Sequence, residues 1–134
     1  MPLDTRDLIE IHMMLALYGH TIDDRDWPAL DQVFTQDIVY DATDFGLGVM
    51  RGIPAIVEAW REPFEHPLAH HTTNVVITED PDGTVRVRAK HIGPRVSGIT
   101  LVTYQDVVRK TPEGWRIAER AARLQGRIPI AEVG

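Results

Sequence analysis

The chain has no cysteine, which excludes disulfides, thiolate nucleophiles and cysteine-based zinc sites together. A metal site would have to draw on histidine and carboxylates, and none is indicated. No apolar run approaches the ~18 residues of a membrane span, and the opening "MPLDTRDLIE" lacks the basic start and apolar core of a secretory leader. Lys/Arg-rich blocks are also missing. The 14 basic residues are scattered among 20 acidic ones for a net charge of -6, so a surface that tracks phosphates is not expected. These absences point to a cytoplasmic protein with neither nucleic acid nor membrane as partner.

What is present is ordinary for one globular domain: 134 residues, 43% hydrophobic and 25% charged, enough to bury a core but too few for two domains. Leu8, Ile11, Leu15, Tyr18 and Ile22 recur at spacings of three and four, the stripe of an amphipathic helix, with Asp4 as its N-cap and Asp7 three residues on. The helix runs into "TIDDRDWPAL". At about 100° per residue, Asp24 points away from the stripe and Asp23 falls at its edge. Asp26 reads as the N-cap of a short helix opened by Trp27 and Pro28. "DIVYDA" then reads as a strand and "GIPAIVEAWREPF" as a third helix, with Ile53, Ile56, Val57 and Trp60 inward.

From residue 69 the period changes to that of strands, expected near 69–79, 83–92, 98–110 and 115–125. "DPDGT" and "TPEGW" are tight-turn signals and imply antiparallel hairpins, "HIGPRVSG" reads as a longer bend, and "RIPIAEVG" as a loose tail. The order predicts an α+β domain: a cone in which a strongly curved mixed or antiparallel sheet wraps around N-terminal helices and encloses an apolar pocket. Val and Ile on the outer face of such a sheet suggest a homodimer or homotrimer.

Polar residues on surfaces that pattern as buried are the candidates for chemistry. Tyr18 is on the helix stripe and Asp23 borders it. In "LAHHTTNVVIT" strand parity puts His70, Thr72 and Asn74 on one face and His71 on the apolar one, and a bulge would reverse this. Val85, Val87, Ala89 and His91 alternate with Arg86, Arg88 and Lys90, so His91 points inward. Tyr104 and Asp106 share a face, Arg120 and Arg123 lie on opposite faces, and all four read as surface or rim residues. A histidine oriented by an aspartate in an apolar cavity can take a proton from a carbon beside a carbonyl, and a tyrosine hydroxyl can hydrogen-bond the enolate oxygen that develops. No metal or organic cofactor is needed.

"YGHTIDDRDWPALDQVFTQDIVYDA", "GIPAIVEAW", "HHTTN" and "DVVRKTPEGWRIAER", in that order over residues 5–124, resemble the SnoaL-like branch of the nuclear-transport-factor-two-like superfamily. That branch includes scytalone dehydratases, bile-acid dehydratases and polyketide cyclases. The resemblance implies a catalytic set of Asp23 and His70, with His71 as its alternate, and Tyr18, which resembles the tyrosine of the bile-acid enzymes. The scytalone pattern has its tyrosine directly before the aspartate, where this chain has Ile22. Asn74, His91, Tyr104, His71 and Arg123 are the candidate substrate-binding residues. The expected function is a cofactor-independent lyase or isomerase of dehydratase or cyclase type, acting on a hydrophobic carbonyl substrate. The alternative is a non-catalytic module of the same fold that binds a small molecule or another protein. "DRD" at 24–26 cannot form the Asp-Arg-Asp relay of a related epoxide hydrolase branch, because adjacent helical side chains diverge.

Overall fold

The computed structural model describes residues 3–61 and 66–130. Its first helix, α1 (Thr5–Asp23), begins at a capping box. The Asp4 carboxylate accepts from the Asp7 N–H at 2.8 Å, and the Asp7 carboxylate accepts from the Asp4 N–H at 3.2 Å. Two N–H groups that a helix start leaves orphaned are satisfied in this way. The buried stripe is Ile11, Met14, Leu15, Tyr18 and Ile22, with Leu8 at its exposed edge. The helix stops in a Schellman turn: Arg25 takes a φ of 52°, its N–H donates to the Ile22 carbonyl, and the Asp26 N–H donates to that of Thr21.

The next segment, Trp27–Gln32, is a short 3-10 helix, and Asp26 makes no side-chain cap to it. The expected N-cap is therefore corrected: the Asp26 backbone carbonyl, not its carboxylate, takes the Ala29 N–H. Trp27 still anchors the segment, its ring 6.0 Å from that of Trp60.

The remaining elements are β1 (Phe34–Ala42), β2 (Gly48–Arg51), α2 (Ile53–Arg61), β3 (His71–Glu79), β4 (Val85–Arg95), β5 (Gly98–Thr111) and β6 (Gly114–Pro129). One sheet holds all six strands in the order β2-β1-β6-β5-β4-β3. β1 runs parallel to β6 and the other neighbours are antiparallel, which makes the sheet mixed. Register shifts at Thr73/Val76, Leu101/Val102 and Val107/Val108 mark bulges that bend strands and increase twist. The sheet curves around α1 and α2 without closing, and the core fills its concave side: the α1 stripe, Ile56 and Trp60 against Val87, Ala89, Val102, Tyr104 and Ile117. No described helix is long and apolar enough to cross a membrane.

Three local expectations change. β2 is an additional strand whose four residues carry too little pattern to be read from sequence. "HIGPRVSG" is not a long bend, because β4 continues through Gly93 and Pro94 to Arg95 and only Val96 and Ser97 turn the chain. Proline is tolerated there because β3 pairs with β4 no further than Ile92, so the missing N–H interrupts no ladder on that side. The expected loose tail is paired as far as Pro129, which lies opposite Gly98. The expected end of the third helix, beyond Arg61, falls on residues 62–65, outside the described residues.

Candidate active site

α1 ends at the residue whose carboxylate meets His70. The Asp23 Oδ1 is 2.5 Å from Nδ1 of His70, and Oδ2 accepts the His70 backbone N–H at 3.0 Å. Both carboxylate oxygens are thus held by one residue, 47 positions along the chain. Gly19, one turn earlier on α1, allows this approach, since a Cβ there would lie 2.8 Å from the His70 carbonyl oxygen. The His70 side chain is 9% exposed and that of Asp23 23%. A carboxylate only accepts, so Nδ1 carries the proton and Nε2 is the nitrogen left to meet a ligand. Burial holds the His70 pKa below the ordinary imidazole value, against the pull of Asp23 and with the push of Arg120 and Arg95. His70 is therefore neutral at pH 7.

Behind it the aromatic groups are layered. The His70 ring stacks on His91 at 4.8 Å, and His91 stacks on Tyr104 at 5.4 Å. Burial, His70 and Arg120 together push the His91 pKa down to about 3, so this second imidazole is also neutral. Tyr18 meets His70 edge-on at 6.1 Å and shares a hydrogen bond of 2.9 Å with the hydroxyl of Tyr40. On the sheet side of these rings lies an ion pair with both side chains fully buried. Arg120 donates Nε to one oxygen of Asp106 and Nη2 to the other, each at 2.8 Å. Its guanidinium is sandwiched 3.8 Å from the Tyr104 ring centre and 4.3 Å from that of Tyr18.

These groups surround a cavity of about 160 Å³ between the sheet and the helices, lined among others by Tyr18, Tyr40, Trp60, His70, His91 and Tyr104. A broader hollow on the opposite face of the sheet, lined by Val39, Val76, Arg88 and Gln105, includes neither Asp23 nor His70. Of the residues singled out from sequence, Tyr18, Asp23, His70, His91 and Tyr104 come together. His71 does not line this cavity: it is exposed in a groove against α1 that Asp23, His70, His12 and His20 also line. Asn74 is exposed and adopts a φ of 54° at the β3 bulge. Arg123 is exposed and paired with Asp41 at 3.0 Å. Tyr104, Asp106 and Arg120, read from sequence as surface or rim, are buried. Tyr40, Trp60 and the Asp106–Arg120 pair were missed as parts of this environment.

Among the described residues no group of three or more histidines and carboxylates is placed to hold a metal ion. What the arrangement can supply is a neutral imidazole base held by a carboxylate, beside hydroxyl donors, in a cavity of mixed aromatic and polar lining.

Residues 4–121 match the family described as SnoaL-like domain. No curated protein sequence matches the chain. Among solved structures, a candidate scytalone dehydratase from Novosphingobium aromaticivorans superposes with a TM-score of 0.68 at 20% identity, over 93% of this chain and 88% of that one. A hexachlorocyclohexane dehydrochlorinase, LinA type 2, gives 0.72 at 13% identity over 96% and 89%. A protein of unknown function from Mycobacterium tuberculosis gives 0.66 at 27% identity over 94% and 77%. The structures at the lower identities share the fold, while the family match spans nearly the whole chain, from the α1 cap to the residue after Arg120. This chain belongs to the SnoaL-like domain family.

Proposed function

We propose that the protein is a cofactor-independent lyase or isomerase that uses His70 as general base and then acid on a hydrophobic carbonyl substrate. The observation that carries this reading is the Asp23–His70 contact at 2.5 Å, with His70 on the wall of an aromatic-lined cavity. His70 Nε2 takes the proton from the carbon beside the carbonyl, and Asp23 stabilises the imidazolium that forms. The Tyr18 hydroxyl, already paired with Tyr40, donates to the enolate oxygen. In a dehydration the C–O bond to the neighbouring hydroxyl then breaks, His70 returns its proton to the departing oxygen, and the products are an enone and water. Isomerisation and cyclisation share the first step and differ in where the electron pair goes next.

An engineered apolar cavity of about 150 Å³ holds benzene, so this one takes a single ring, with further substrate atoms directed to the mouth. The named dehydratase and dehydrochlorinase among the structural relatives accord with elimination chemistry. The test uses two neutral one-ring probes. Exchange of the acidic hydrogens of benzylacetone for deuterium is followed by NMR in heavy water, and dehydration of the benzaldehyde–acetone aldol adduct is followed by absorbance. Wild type accelerates at least one of the two reactions, while His70→Ala and Asp23→Asn lose that acceleration. Full activity in both variants would remove the assignment.

A further inference from the structure

The same cavity carries a charge pattern that the acid-base reading does not use. In a chain with 20 acidic and 14 basic residues, its lining includes Arg95, Arg127 and three histidines, and no aspartate or glutamate among the described residues. Arg95 stands on β4 and donates Nε to the buried Thr100 hydroxyl at 2.7 Å, which fixes its guanidinium at the cavity wall. Thr100 in turn lies opposite Arg127 in the β5–β6 register.

The contrast with Arg123 is instructive. Four residues apart on a regular strand, Arg123 and Arg127 would share a face. The register, however, steps from Val102↔Leu124 to Leu101↔Gly126, so Gln125 is an extra residue in β6, and such a bulge re-aims the side chains beyond it. Arg123 faces out and is neutralised by Asp41. Arg127 lines the cavity and has no ion pair among the described residues. Tyr104 and Thr100 both line the cavity and are four residues apart on β5, about 13 Å at the rise of a strand. His70 and both arginines line this one cavity of about 160 Å³, a space that one ring with a short arm can fill.

We infer that the mouth of this cavity is an anion subsite, in which Arg127, exposed at its rim, receives the carboxylate of a compact hydrophobic substrate whose other end lies against His70. The placement of the reacting end rests on the function proposed above; the subsite itself does not. Guanidinium suits this task because its planar donors match a carboxylate in a bidentate contact.

Binding of hydrocinnamate and of its neutral isostere hydrocinnamamide, measured by titration calorimetry, tests the inference. Wild type prefers the carboxylate by about tenfold or more, and added salt erodes the preference. Arg127→Gln reduces it to within about twofold without weakening the amide, which also serves as the control for folding. Equal affinity of the two probes in wild type overturns the subsite. So does a preference that survives Arg127→Gln and Arg95→Gln but vanishes in His70→Ala, because the carboxylate would then sit at the dyad. The benzylacetone and aldol-adduct assays report on the reaction separately. Their failure beside an intact carboxylate preference removes the proposed chemistry and leaves the subsite standing, and the converse result removes only the subsite.

Discussion

Two aspartate pairs flank Tyr18, and they differ in whether the aspartate's partner can change its charge. Asp23–His70 joins the end of α1 to the residue before β3, touches solvent on the Asp23 side, and contains an imidazole that can change charge. Asp106–Arg120 joins β5 to β6, touches no solvent, and contains a guanidinium that stays charged at any accessible pH. A catalytic base must gain and lose a proton, so it belongs at the cavity with an exit for charge. A permanent charge among tyrosine rings does better sealed in, where its field acts on its neighbours without screening. That field is one reason His70 and His91 remain neutral.

The largest effects should come from breaking the sealed pair. Asp106→Ala strands a buried guanidinium, and the expected loss of stability in urea denaturation is about 3–5 kcal/mol. Asp106→Leu combined with Arg120→Met, which removes both charges, should lose much less than the single variant, since a buried pair is weak evidence of net stabilisation. A single variant as stable as wild type would mean that water reaches Arg120. The dyad should behave in the opposite way. His70→Ala lowers turnover by about 10²–10⁴-fold, the range for a general base, while its unfolding midpoint shifts far less than that of Asp106→Ala. Equal loss of stability in the two would erase the distinction between a working pair and a structural one.

The dyad was readable in sequence because Asp23 borders an unbroken helical stripe and His70 belongs to a family motif. Parity alone favoured His71, because it could not count a bulge that begins beyond Thr73. The sealed pair also left a signal. Val102, Tyr104, Asp106 and Val108 share one strand parity, and Ala118, Arg120 and Ala122 share another. Opposite charges at apolar positions of adjacent strands mark a buried pair, but charge by itself argued for the surface, and that argument was wrong here. The cone, its hairpins and the inward His91 followed from periodicity. β2 and the length of β4 and β6 did not, because four residues carry little pattern and Gly-Pro normally marks a turn.

A smaller effect probes how the dyad is held. Gly19→Ala puts a methyl group 2.8 Å from the His70 carbonyl oxygen, and the backbone around His70 must move. Overpacking of this kind costs about 1–3 kcal/mol, and the displacement should reduce turnover more than it changes substrate affinity. Asp24→Ala, next to the dyad but exposed, serves as the control and should leave both unchanged. If Gly19→Ala keeps wild-type turnover, the helix does not set the position of the base.

The gentlest comparison uses pH alone. His70 and His91 bind protons less readily in the folded protein than in the unfolded chain, so the unfolded state takes up more protons once pH falls below about 6.5. The stability associated with neutral imidazoles is complete above that pH and is lost as pH falls toward the folded values, about 3 for His91. His91 alone should contribute a slope of up to about 1.4 kcal/mol per pH unit in that window, and His91→Phe should flatten it. Arg120 contributes no slope, because it stays charged throughout. In the proposed reaction, the acid limb of the rate profile should follow protonation of His70. Since the Asp23 carboxylate raises the proton affinity of that imidazole, Asp23→Asn should move the limb to lower pH while it lowers the plateau. A limb that stays in place would show that Asp23 orients His70 without contributing its charge.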